Sequence, residues 1–206
     1  MVIRERARPL PVGERRAAIL RAARPLVLEH GRSATTRLIA DAAGIAEGTI
    51  FRVFPTKDEL FDAVIDAEFD PEPFLAAIGR IDLDQPLDQR LVEAVGLLQR
   101  RFVSIFRLMI ALGVRRPPER SAAPDLRKRL AEEGLIRLVR PDADRFRVPP
   151  EEVVQLLRLL TFSGSHPHIS DQQMLGAEQI VGVVLHGTLH PGTRGTDTDH
   201  EGSHSC

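Results

Sequence analysis

Residues 35–60 read TTRLIADAAGIAEGTIFRVFPTKDEL. Glycine at 44 and proline at 55 punctuate the stretch. Ile39, Ala42 and Ala43 recur at helical spacing, which predicts a helix over 36–43 capped by Thr35 and stopped by Gly44. A second helix is predicted over 47–53, with Ile50 and Phe54 one turn apart and Pro55 as its end. Thr56-Lys57-Asp58-Glu59 has the spacing of a capping box, so a third helix starts at Lys57. Leu60, Phe61, Val64 and Ile65 give it an apolar stripe to about Phe69. The first two helices are too short to bury much of a core by themselves. The turn Ala43-Gly44-Ile45-Ala46 sets their crossing, and Ile39, Ala43, Ile45, Ile50 and Phe54 can pack behind it. Glu47, Gly48, Thr49, Phe51, Arg52 and Val53 are then left partly or wholly outside.

A short helix anchored from behind, with its N-terminal residues projecting, suits the DNA major groove. Small residues at Ala46 and Gly48 would let the helix end approach base edges or phosphates. Lys57 stands in the first turn of its helix, where the dipole disfavours a cation unless an anion is bound there. Thr35 and Thr36 could serve a second phosphate, and Arg37 a phosphate or a guanine edge. Taken singly, Thr35 and Thr56 are ordinary caps and Lys57 an ordinary surface lysine; together their spacing favours DNA. Charge agrees: residues 1–57 hold ten Arg and one Lys against five carboxylates, although the whole chain has a formal net charge of −1.

The stretch, with ILRAARPLVLEHG before it, resembles the DNA-binding domain of TetR-family transcriptional regulators over roughly residues 15–65. The matching residues are Ile39-Ala40, Ala43-Gly44-Ile45, Gly48-Thr49, Phe54 and Lys57. The resemblance implies an all-α homodimer with an N-terminal three-helix helix-turn-helix domain and a C-terminal helical domain for ligand binding and dimerisation. It also implies a repressor that a small molecule releases from a palindromic double-stranded DNA operator. Four positions depart from the family pattern. Ala46 replaces the usual serine cap, Phe51 the usual tyrosine, Val53 the usual histidine, and Pro25 falls within the first helix. Phe51 and Val53 are expected to make apolar contacts with sugars or thymine methyls.

Working outward, residues 1–13 carry Arg4, Arg6 and Arg8 with Pro9 and Pro11 and are expected to form a flexible basic arm. A helix is predicted over 14–30 and stopped by Gly31. Pro25 should kink it, or be tolerated on its solvent face, since an interior proline costs about 3 kcal/mol. The DNA-binding domain is set at 14–69, because composition breaks at Asp70-Pro71-Glu72-Pro73. A helical domain is expected over 70–189 and a disordered polar tail over 190–206. Within that domain, helices are predicted at 73–80, 87–112, 125–139, 151–162 and 173–188, with loops at 115–124 and 141–150. The helix over 87–112 is apolar over much of its circumference, which predicts a central buried position.

Leu98, Gln99, Phe102, Ser104, Phe106 and Met109 on that helix are the candidate ligand-binding residues, suited to a small apolar or amphipathic ligand. Leu156, Leu159, Leu160, Ile180, Val183 and Val184 are the candidate dimer interface that the resemblance implies. His166 and His168 flank Pro167, but no Cys or acidic residue has helpful spacing. A solvated or interfacial loop is preferred there, and no metal or cofactor is expected. The single cysteine is Cys206, which excludes an intramolecular disulfide. No run of apolar residues is long enough to span a bilayer, and the N-terminus has no apolar signal core. A cytoplasmic, non-enzymatic regulator without membrane partners is therefore expected, as no enzyme motif stands out. A DNA-binding regulator without an effector, and a helical enzyme or binding module, are the alternatives.

Overall fold

The computed structural model describes residues 11–116, 129–171 and 173–191. Among them the chain is helical, with one isolated antiparallel bridge between Phe146 and Leu189 and no β-strand. The described residues form two compact units. One holds residues 11–73 and 100–116, the other 74–99, 129–171 and 173–191.

In the first unit, α1 spans Val12–His30, α2 Thr36–Ala43, α3 Glu47–Val53 and α4 Lys57–Glu68. Each starts and stops for a local reason. Pro11, with its φ fixed at −52° and ψ at 152°, precedes α1, and its carbonyl accepts from Arg15 N at 2.9 Å. Val12 and Gly13, expected in the flexible arm, are therefore helical. Pro25 lies inside α1 on its exposed side, opposite the buried Ile19, Ala23 and Val27. The missing N–H thus falls where water can satisfy the free carbonyl. A 3-10 turn, Gly31–Ser33, follows. Gly31 has φ +57°, and an added Cβ there would lie 2.4 Å from the Ala111 carbonyl oxygen, so only glycine fits. Gly44 ends α2 in the left-handed conformation, with its N–H on the carbonyls of Ala40 and Asp41.

These elements enclose a core of Ile19, Val27, Ile39, Ile50, Phe54, Leu60, Phe61, Val64 and Ile65. Leu108 and Leu112 join it from the C-terminal part of α6, Leu87–Leu112. Arg24 reaches Glu68 Oε2 at 2.7 Å and the Ser104 hydroxyl at 2.5 Å, and Arg101 donates to the Phe69 and Asp70 carbonyls at 2.7 Å each. Burial pushes the Glu68 carboxyl up, but hydrogen bonds from Arg24 and Ser104 and the charges of Arg24 and Arg101 outweigh it and hold the group below its ordinary range.

The second unit contains α5 (Glu72–Ile78, from Phe74 onward), the first half of α6, α7 (Arg137–Val139), α8 (Pro150–Ser165) and α9 (Ala177–Thr188). A π-helical stretch, Leu130–Ile136, leads into α7, and a 3-10 turn, Arg140–Arg145, follows it. The π stretch falls at Gly134, which packs beneath Phe74 and Leu75. Arg90 is only 3% exposed. Its Nε donates to the Leu138 carbonyl at 2.8 Å, one Nη to the Gln85 carbonyl at 2.9 Å, and the other Nη to Asp142. Burial raises the Asp142 carboxyl, yet hydrogen bonds from Arg145 and Arg90 and their charges bring it below its ordinary range.

α8 runs three residues beyond its expected end at 162. The buried Gly164 lies against Leu175, with an added Cβ 3.0 Å from Leu175 Cδ1, and Leu175 N–H bonds the Gly164 carbonyl at 3.1 Å. That pairing holds residues 173–176 out of the predicted helix. α9 begins at Ala177, with Gln179 Oε1 reaching back to Gly176 N–H at 2.8 Å. The arm at 1–10, residues 117–128 and the tail from 192 onward lie outside the described residues, as do parts of the loop and helix expected over 115–139.

Candidate nucleic-acid interface

α2 and α3 share one tight turn. The Thr35 hydroxyl accepts from Leu38 N–H at 3.2 Å and opens α2. α3 opens differently: Ala46 is extended and has no side chain to cap with, and its carbonyl accepts from Thr49 N–H at 2.8 Å. Glu47, the first residue of α3, makes a different contact. Its carboxylate accepts from the Thr36 hydroxyl at 2.5 Å and ties the first turn of α3 to the first turn of α2.

Ile50 and Phe54 anchor α3 from behind, 0% and 1% exposed. Arg16 lies over the Phe54 ring, 4.4 Å from its centroid, and closes the outer side of that anchor. The opposite face is bare. Glu47, Gly48, Phe51 and Arg52 are exposed, Thr49 and Val53 half-buried, and Val53 also packs on the core. Phe51 leaves 46% of its surface in solvent. A Cβ built on Gly48 would meet no atom within 4 Å. This glycine is therefore not required by packing, although it weakens the helix by roughly 0.5–1 kcal/mol relative to alanine.

On α2, Thr35 and Arg37 are exposed and Thr36 is half-buried. Among the described residues neither Arg37 nor Arg52 has an ion-pair partner, whereas Arg32 pairs with Asp58 at 2.6 Å. Lys57 is more engaged than its sequence position implies. Its Nζ donates to the Arg32 carbonyl at 2.8 Å and lies 5.2 Å from the Phe61 ring centroid. The cation in the first turn of α4 is thus held by a carbonyl and an aromatic face, which leaves it two further N–H donors. Its tether to the 3-10 turn after α1 could not be read from local spacing, nor could the Thr36–Glu47 tie or the Arg16–Phe54 stack.

The other candidate residues disperse. Leu98 and Gln99 belong to the second unit, and Phe102, Ser104, Phe106 and Met109 to the first. Leu98 and Phe106 are buried, and the other four half-buried. The Phe102 and Phe106 rings stack at 6.0 Å, the Gln99 amide donates to the Leu175 carbonyl at 2.7 Å, and Ser104 receives Arg24. A groove of ≈380 Å³ lies on α8 and α9, lined by Leu156, Leu159, Leu160, Ser163, Val183 and Gly187 among others.

Of the six interface candidates, Leu156, Leu159 and Val183 are exposed, Leu160 is half-buried, and Ile180 and Val184 are enclosed within the chain. Phe162, 40% exposed, continues this face one turn beyond Leu159. Its spacing of three residues from Leu159 was the available signal. His166 and His168 stand with ring centroids 5.8 Å apart, and His166 lies 6.1 Å from the Phe162 ring. Among the described residues no group of three or more His, Cys, Asp or Glu side chains could hold a metal ion, and no helix is long and apolar enough to cross a membrane.

Residues 19–64 match the model of the family described as bacterial regulatory proteins, tetR family. That span runs from the middle of α1 to α4 and includes both short helices. The fold is shared with a transcriptional regulator from Rhodococcus sp. Rha1, with 21% identity over 84% of this chain and 97% of that one and a TM-score of 0.59. It is also shared with the TetR transcriptional regulator SCO0520 from Streptomyces coelicolor, with 23% identity, 85% and 99% coverage and a TM-score of 0.54. NalD from Pseudomonas aeruginosa, the secondary repressor of the MexAB-OprM multidrug efflux pump, is 21% identical over 87% of this chain and 99% of its own, with a TM-score of 0.53. With a helix-turn-helix matched through its full length and an all-helical fold of this kind, the chain is a DNA-binding transcriptional regulator whose residues 19–64 form a domain of the tetR family.

Proposed function

We propose that the protein is a non-enzymatic, cytoplasmic, homodimeric repressor that places α3 of each subunit in successive major grooves of a near-palindromic operator. Gly48 carries this reading. A helical glycine with open space before it costs stability in the free chain, and that cost is useful where another molecule's surface comes close. Arg37 and Arg52, without ion-pair partners among the described residues, supply the cations for phosphate or guanine. Thr35 and Lys57, with the free N–H of Thr36 in the first turn of α2, flank them on the phosphate backbone, and Phe51 and Val53 give apolar contact to sugars or thymine methyls. Ala46 and Thr49 complete the approach.

The partner surface in this reading is the face of α8 and α9 formed by Leu156, Leu159, Phe162 and Val183. These residues are 40%, 55%, 40% and 64% exposed, and Leu156, Leu159 and Val183 line one groove; exposed apolar surface of this kind marks an interface. Twofold symmetry then sets the two α3 helices about 34 Å apart. Footprinting on the DNA upstream of the gene, with the complex sized in parallel, tests this. Two chains on a dyad-symmetric footprint support it; a single chain on an asymmetric site contradicts it.

Release by a small apolar or amphipathic ligand held along α6 is the proposed regulation. A regulator without an effector is the second reading. It is favoured by Gln99 and Ser104, whose polar groups already have partners within the chain. Apolar compounds that lower operator affinity while raising thermal stability would support the first; solubility-limited screening without either effect would support the second.

A further inference from the structure

Glu47 is a carboxylate on a surface built for a polyanion. It is exposed on the first turn of α3, beside the open space at Gly48. Among the described residues no cation pairs with it, and its contact is the 2.5 Å hydrogen bond donated by the Thr36 hydroxyl. Against phosphate such a group is repulsive. In the major groove the hydrogen-bond donors on base edges are the exocyclic amines of cytosine and adenine. Adenine carries the N7 acceptor next to its amine, which opposes a second carboxylate oxygen. Cytosine presents its amine beside a C–H edge and lacks that opposition. The Thr36 hydroxyl fixes the carboxylate, so Glu47 meets the groove in one orientation, with lone pairs still open.

We propose that Glu47 is a specificity-determining residue that accepts a hydrogen bond from the N4 amine of a cytosine, and that Thr36 is the positioning residue that holds it. The operator then carries a G·C pair of fixed polarity at one position in each half-site. This rests on the reading of α3 as the DNA-facing helix, and it adds the identity of one base.

The test is selection from a random-sequence duplex library by the full-length protein and its variants. Wild type should enrich cytosine at one position per half-site. Glu47→Ala should lose that preference by about tenfold, keep the rest of the selected sequence, and bind non-operator duplex more tightly, because a repulsive charge is gone. Glu47→Gln should turn the same position toward adenine, whose N6 and N7 a carboxamide matches. Thr36→Val should weaken the cytosine preference and Thr36→Ser restore it, with thermal stability reported for each. If Glu47→Ala selects the wild-type sequence unchanged, the inference is overturned. Equal losses at every position with a lowered Tm overturn it as well, since they identify Glu47 as an inter-helix tie. A wild type that enriches no sequence overturns the reading of α3 itself, and this inference with it.

Discussion

Gly31 and Ala111 meet with no room for a side chain: a Cβ on Gly31 would stand 2.4 Å from the Ala111 carbonyl oxygen. The contact fixes the end of α1 against the C-terminal part of α6 within one unit. Gly31→Ala is therefore expected to destabilise the protein by roughly 3 kcal/mol, through positive-φ strain together with the clash. Urea denaturation at neutral pH measures it; a cost below 1 kcal/mol would show that α6 shifts freely at this point.

Gly48 has the opposite prediction. Alanine there meets nothing in the free chain and improves helix propensity, so Gly48→Ala should stabilise the protein by about 0.5–1 kcal/mol. The same methyl should weaken operator binding, because it stands where the DNA surface approaches. Thermal melts paired with binding titrations decide the matter. Higher stability with unchanged affinity would remove Gly48 from the interface.

The contrast between these glycines shows where the sequence was legible. Both were recognisable as breaks or small residues, but their neighbours were not. The helices over 36–43, 47–53 and 87–112 could be placed correctly because caps, periodicity and Pro55 agree locally. The ends of α8 and α9 moved because the Gly164–Leu175 contact is tertiary, and no local signal announces it. Ile180 and Val184 show the same limit for the proposed dimer surface. Apolar periodicity marks a face as buried, but it cannot divide burial inside the chain from burial against another copy. On α3 the residue types were legible, whereas the Thr36–Glu47 tie and the Lys57–Arg32 contact depend on how α2 and α4 fold back on their neighbours.

Arg90 and Asp142 form the polar centre of the second unit. Asp142→Ala leaves the buried Arg90 guanidinium without its counter-charge and should cost about 3 kcal/mol. The Asp142 carboxyl lies below its ordinary value of 3.8 in the folded chain. A depressed carboxyl contributes stability that is present above the unfolded-state value and fades as the pH falls through the folded-state value. The gap between wild type and variant should thus be full near neutrality and shrink in strong acid. Denaturant midpoints across that range check it; a gap that widens in acid would reverse the sign assigned to the pair.

Leu159 and Val183 are 55% and 64% exposed, so glutamate at both should leave the fold of the chain intact. If they form the partner surface, the double variant should sediment as a monomer and lose at least about tenfold in operator affinity, because the second half-site is no longer tethered. Unchanged circular dichroism with an unchanged dimer would move the interface elsewhere.

In the proposed function the exposed face of α3 reads DNA. This is tested most directly by titrating the protein against a duplex from its own upstream region and a scrambled duplex of equal length, across a range of salt. A logarithmic salt slope steeper than about −4 is expected, as several released counterions require, with a preference of at least about a thousandfold for the upstream duplex. Equal affinity for the two duplexes, or no binding at low salt, would contradict it.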